Sequence, residues 1–143
     1  MRILGLDLGT KTLGLAVSDL TETISSGLTT LRFNENEEEN VIPELKKIVE
    51  EYNVSLFVIG LPKNMNNTLG DAVLRTRNFE EILKRNFDIK IEEQDERLSS
   101  VTANNVLISS DISRKKRKNK VDKLAATIIL QNYLDIRKEK ENE

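Results

Sequence analysis

Three acidic positions stand where chemistry can be done. Asp7 interrupts the apolar run of residues 2–8, Asp95 and Glu96 follow the apolar-alternating stretch that begins near Ile89, and Asp122 opens the apolar-periodic stretch that follows Val121. A carboxylate set into an apolar element must be solvated, paired or bound to a cation, because an isolated buried charge is very costly. Carboxylates brought together repel one another, and a divalent cation relieves that repulsion. Two such cations about 3.5–4 Å apart clamp the attacking and leaving oxygens of a phosphodiester under hydrolysis. The chain has no histidine and no cysteine, so a Ser-His-Asp triad, a thiol nucleophile and Cys- or His-ligated zinc are excluded. Hydrolysis would then rest on carboxylates, lysine and a hard, oxygen-seeking cation, Mg²⁺ or Mn²⁺. Each acid also has a purely structural reading: Asp122 as a favourable charge at a helix start, Asp95 and Glu96 as a solvated pair beside Arg97.

Gly5 and Gly9 bracket Asp7 and remove side chains on either side of it, so that a phosphate or another backbone can approach. The net charge is −2, from 22 basic and 24 acidic residues, but the distribution is uneven. Acid concentrates in Glu35–Glu39 and Glu139–Glu143, and base in Arg114–Lys120, where Arg114, Lys115, Lys116, Arg117, Lys118 and Lys120 make six of seven residues. A dense basic segment directly ahead of Asp122 suits a surface that brings a polyanionic backbone to the acids.

The elements that must position these groups follow from periodicity. Residues 2–8 and 12–18 read as strands joined by a tight turn at Gly9–Lys11, with a third strand over about 24–32. The acidic stretch 34–40 leads into a helix on which Val41, Leu45, Ile48, Val49 and Tyr52 recur at helical spacing, with Pro43 in its first turn. The continuous apolar run from Val54 to Gly60 reads as a buried parallel strand. A polar loop over Asn64–Asn67 precedes a helix from Thr68, its cap, to Arg85, with Ala72, Thr76, Phe79 and Leu83 on one face. Ile89–Gln94 is a strand, 99–109 a helix, 114–120 a mobile segment without apolar period, and Val121–Ile136 a helix burying Leu124, Ala125, Ile128 and Tyr133. The order predicts an α/β fold: a mixed sheet, three antiparallel strands and then parallel ones, flanked by helices. Residues 1–137 form one domain and 138–143 a charged, unstructured tail. No apolar run approaches the ~20 residues of a membrane span, and Asp7 and Lys11 break any signal-peptide pattern, so the expected location is the cytoplasm.

Four segments together resemble one family. Asp7-Leu-Gly-Thr-Lys-Thr-Leu-Gly-Leu-Ala-Val-Ser-Asp19, Gly60-Leu-Pro-Lys-Asn-Met-Asn-Asn67, Asp95-Glu-Arg-Leu-Ser-Ser100 and Lys120–Leu134 are similar, in order and along nearly the whole chain, to the YqgF/RuvX proteins. The resemblance implies an RNase H-like sheet and divalent-metal hydrolysis of nucleic-acid phosphodiesters. The implied substrate is the 16S ribosomal RNA precursor in ribosome biogenesis or a Holliday junction. It carries the catalytic acids over to Asp7, Glu96 and Asp122, with Asp95 as a further candidate metal ligand, and matches Thr10 and Lys11 in the turn. Lys11, Asn64, Arg97 and the six cations of 114–120 are the expected phosphate contacts. Two departures stand out: Asn66-Asn67 replaces a usual Asp-Gly, which removes a loop acid, and Ser99-Ser100 replaces a Ser-Thr or Thr-Thr pair. The implied partners are structured nucleic acid, as pre-rRNA or branched DNA, and ribosomal particles, with no membrane. A monomer or a weak homodimer is expected.

Two other function classes compete. Asp7-Leu-Gly-Thr-Lys-Thr12 also resembles the first phosphate loop of the actin, hexokinase and sugar-kinase superfamily, but those proteins close two such domains on a nucleotide and this chain has length for one. A non-catalytic RNA- or ribosome-binding module would need only the basic segment, with structural acids.

Overall fold

A computed structural model describes residues 1–61, 70–95 and 114–141, with the backbone alone at 114–123 and 138–141. Its sheet has five strands in the order β3-β2-β1-β4-β5. Strands β1 (Arg2–Leu8), β2 (Thr12–Ser18) and β3 (Ser25–Arg32) form an antiparallel meander, and β4 (Val54–Leu61) and β5 (Lys90–Asp95) add in parallel on the other side of β1. This is the mixed sheet expected from the strand order.

Local chemistry accounts for the turns. The β1–β2 turn closes through a 2.7 Å bond from Gly9 N–H to the Thr12 carbonyl. At the β2–β3 turn the Asp19 carboxylate accepts from Thr21 Oγ1 (2.6 Å), Thr23 N–H (2.8 Å) and Ile24 N–H (3.1 Å). These bonds, that from Thr21 foremost, pull its pKa down to about 2. A 3₁₀ turn over Glu38–Val41 leads into α1 (Ile42–Tyr52), with Pro43 in the first turn where its missing N–H costs nothing. Asn53 ends α1 in the left-handed conformation (φ 53°), a role its short polar side chain tolerates. Helix α2 spans Asp71–Asn86 and begins at Gly70 without a side-chain cap; the proposed cap, Thr68, lies outside the described residues, as does the expected helix over 99–109.

The sheet pleat sorts the core into two layers. Leu4, Leu6, Leu8, Leu13, Leu15, Phe57 and Ile59 point to one face and bury against Leu45 of α1 and Phe79 and Leu83 of α2. Ile3, Ala16 and Val58 point to the other face and bury against α3 (Arg114–Glu141) through Ala126, Ile129, Leu130 and Leu134. Gly5 belongs to this second face: a Cβ there would stand 2.8 Å from Leu130 Cβ and 3.3 Å from the Ala126 carbonyl oxygen. The backbone that comes close to Gly5 is therefore that of α3.

Helix α3 departs from expectation in three ways. It starts at Arg114 instead of Val121, so the basic run, expected to be mobile, is its first two turns. It continues to Glu141, so 138–141 are helix where a tail was expected. Its buried row is Ala125, Ala126, Ile129, Leu130 and Leu134, while Leu124, Ile128 and Tyr133 are half-buried flanks. Gln131 locks the helix to the meander: its Oε1 accepts from Ser25 N–H (2.9 Å) and its Nε2 donates to the Thr23 carbonyl (3.0 Å). Arg137 adds an ion pair to Glu22 at 3.1 Å.

Candidate active site

Asp7 sits at the carboxyl end of β1, half-buried, on the face covered by α3, as the pleat from Gly5 requires. It pairs directly with Gly14 on β2. On the other side the Leu6–Ile59 pair puts Gly60 of β4 in the next row. Val58 lies on the α3 face, so Gly60, two residues on, does too. Asp7 is thus flanked on its own face by glycines of both neighbouring strands. Gly14 and Gly60 escaped the reading of the sequence; the signal was there, since a glycine inside an apolar strand marks close approach or a missing neighbour.

Asp95 ends β5 at the same edge of the sheet, in register with Leu61. It lies on the other face. Ile91 packs into the α1/α2 layer and Glu93 pairs with Arg77 of α2 at 3.8 Å, whereas Glu92 accepts a hydrogen bond from Tyr133 Oη of α3. Odd positions of β5 therefore face α1 and α2, and even positions face α3. Asp7 and Asp95 share an edge but not a face. Glu96, Arg97 and Asn64 lie outside the described residues.

Asp122 is in the third turn of α3, eight residues after its start, and not in the first turn as expected. Helix α3 runs antiparallel to β1: Leu134 shares a cluster with Ile3, and Ala126 and Leu130 cross Gly5. The turn carrying Asp122, one turn before Ala126, is the next toward the end of β1 that holds Asp7. The backbone thus brings Asp7 and position 122 to one face and one edge. Among the described residues no three acidic side chains converge. Lys11 is exposed in the β1–β2 turn beside this edge, and Arg114, Lys115, Lys116, Arg117, Lys118 and Lys120 occupy the start of α3.

The shifted titrations around β5 fall on both faces of the sheet, Tyr133 and Glu92 on the α3 face and Glu80 on the α2 face. Burial, and then the bond to Glu92, push the Tyr133 hydroxyl up to about 12, and the same bond lowers Glu92. Glu80 of α2 is pushed up to about 7, first by burial and then by its hydrogen bond to and repulsion from Glu93.

A mixed five-stranded sheet with an acid at the end of its first strand is the RNase H-like resolvase architecture. Thermus thermophilus RuvC bound to a Holliday junction superposes with a TM-score of 0.59 over 97% of this chain and 96% of that one, at 13% identity. The fowlpox virus resolvase in complex with Holliday junction DNA gives 0.54 over 94% and 97%, at 16% identity. Residues 1–136 match the RuvX family, described as Holliday junction resolvase, and the chain belongs to that family. A relative from Thermoanaerobacter pseudethanolicus is 52% identical over 98% of this chain and 100% of its own length. One from Clostridium acetobutylicum is 51% identical over 94% and 98%. Both carry the provisional name pre-16S rRNA nuclease.

Proposed function

We propose that this chain is a divalent-metal-dependent nuclease that hydrolyses phosphodiester bonds in structured nucleic acid, with the 5′ end of the 16S rRNA precursor as its substrate in ribosome biogenesis. The observation that carries the reading is the placement of Asp7: a half-buried carboxylate at the carboxyl edge of the sheet, on the α3 face, between two strand glycines. The relatives' name supports the RNA substrate.

The donor chemistry fits a hard cation, since the acids offer only oxygen and the chain has no histidine or cysteine to draw a softer metal. Asp7, Glu96 and Asp122 would hold Mg²⁺ or Mn²⁺, which supplies charge neutralisation at the phosphate and a more acidic bound water. Asp95, on the opposite face, is left as a neighbour of the site. Lys11, Asn64, Arg97 and the cations of 114–120 are the groups that would contact the substrate's phosphates. The chain has only four Phe and two Tyr, which favours recognition by shape and backbone over base stacking. We place it in the cytoplasm, as a monomer or weak homodimer acting on ribosomal particles; among the described residues no helix is long and apolar enough to cross a membrane. A second reading, cleavage of four-way DNA junctions, draws on the likeness of the fold to RuvC.

The test is a cleavage assay with Mg²⁺ or Mn²⁺ on precursor RNA and on a DNA four-way junction, with the wild-type chain and Asp7→Asn. RNA cleavage that falls to background in the variant, at an unchanged melting temperature, is the expected result. A Mg²⁺-dependent rate that survives the substitution rejects the assignment, and cleavage confined to the junction selects the second reading.

A further inference from the structure

The first turns of α3 are helical against their own charge. Arg114 stands three and four residues from Arg117 and Lys118, Lys115 three from Lys118, Lys116 four from Lys120, and Arg117 three from Lys120. Each such like-charge pair disfavours helix. The first turn contains no acid, so no carboxylate within that turn offsets the cations at the positive end of the helix dipole. No apolar residue lies between Arg114 and Lys120, and packing of an apolar face is what ordinarily stabilises a helix of this length. Among the described residues the sheet does not reach under it either. Arg114 is twelve residues, about 18 Å, before Ala126, which crosses Gly5. Strand β1 ends three residues, about 10 Å, beyond Gly5.

Asp122 sits at the seam between this arm and the anchored helix. In an α-helix its backbone N–H bonds to the carbonyl of position 118, in the arm, while its carbonyl accepts from position 126, which is anchored against Gly5. Whether the arm is helical therefore decides whether the turn at 122 is fixed.

We propose that the basic arm, residues 114–120, is an ordering switch for the active site: a nucleic-acid backbone laid on it stabilises the helix, and the completed helix fixes the backbone turn at position 122, an acid of the proposed metal site. This rests on the function proposed above and adds a regulation to it. Phosphates offset every unfavourable contribution at once, the like-charge pairs and the dipole alike. The acid set is then complete only when substrate is engaged.

Two measurements test the proposal. The first is backbone amide exchange of the wild-type chain in EDTA, alone and with a short RNA duplex. Exchange across 114–123 is expected to slow about tenfold or more on adding duplex; unchanged exchange there overturns the proposal. The second compares Lys116→Ala with Lys118→Ala against Lys116→Gly with Lys118→Gly, in the full chain without nucleic acid. Both pairs remove the same two charges and differ only in helix propensity. Mn²⁺ binding by calorimetry is expected to be about tenfold tighter in the alanine pair. Equal Mn²⁺ affinities, with duplex still slowing exchange, overturn the coupling and leave the proposed nuclease standing. A wild-type chain that binds no Mn²⁺ at all overturns the metal-dependent reading of the site, and the coupling with it.

Discussion

Gly5→Ala tests how the helix that carries Asp122 is seated on the strand that carries Asp7. The added methyl would lie 2.8 Å from Leu130 Cβ and 3.3 Å from the Ala126 carbonyl oxygen. Neither neighbour is the far end of a flexible side chain, so α3 itself must lift by several tenths of an ångström. Overpacking of this kind costs about 1–3 kcal/mol. For a chain of this length, 2 kcal/mol is a fall in Tm of about 6 °C. The assay is urea unfolding followed by far-UV circular dichroism, with the slope against denaturant unchanged and the midpoint lowered. A double-mutant cycle with Leu130→Ala sharpens it. That substitution alone costs about 2–5 kcal/mol as a cavity. It leaves Cβ and the Ala126 carbonyl in place, so it should not relieve the clash, and the coupling should lie within about 0.5 kcal/mol of zero. Rescue of Gly5→Ala by Leu130→Ala, or a Gly5→Ala chain as stable as the wild type, refutes the claim that helix backbone and strand backbone set this spacing.

Gln131→Ala removes the acceptor for Ser25 N–H and the donor to the Thr23 carbonyl; a loss of about 1–3 kcal/mol is expected in the same unfolding assay. Glu80→Gln should stabilise the fold at pH 8 and leave it unchanged at pH 4. The folded-state pKa of about 7 lies above the ordinary value of 4.5, so the folded chain holds a proton that the unfolded chain has lost, and wild-type stability falls as pH rises from about 4.5 to about 7. Glu80 is half-buried, and solvent screening reduces the expected gain at pH 8 to about 1 kcal/mol; urea midpoints across pH 4–8 measure it.

The β1–β2 hairpin, the buried run of β4 and the inward row Thr76, Phe79 and Leu83 of α2 were all legible, because each rests on apolar periodicity over a full element. Helix α3 was legible only where its apolar residues recur. Its first two turns carry no such signal, and the run of cations argued against helix on local grounds. The burial row of α3 was misjudged by one position because the helix lies over Gly5, where Ala126 and Leu130 approach the strand. The role of Gly5 was half visible: the sequence asks for close approach, and only the packing says that α3 supplies the approaching backbone. The acids at 7 and 122 were legible as sheet-edge and helix positions, but their common face follows from the antiparallel run of α3 along β1, a tertiary relation that no local pattern encodes.

The pleat also decides which face Asp95, the last residue of β5, belongs to. Successive residues within a strand point to opposite faces. Glu93 meets Arg77 of α2 and Glu92 meets Tyr133 of α3, so Asp95 belongs with the α1/α2 layer while Asp7 belongs with α3. This argues against Asp95 as the partner of Asp7, and under the proposed function that role falls to Glu96. Asp95→Asn should then keep nuclease activity within a few-fold of wild type, the scale of a neighbour's electrostatic influence across the sheet. Glu96→Gln should lose activity as Asp7→Asn does. Single-turnover cleavage rates at saturating Mg²⁺ separate the two, and loss of activity in Asp95→Asn with retention in Glu96→Gln would require the site to be built on the other face of the sheet.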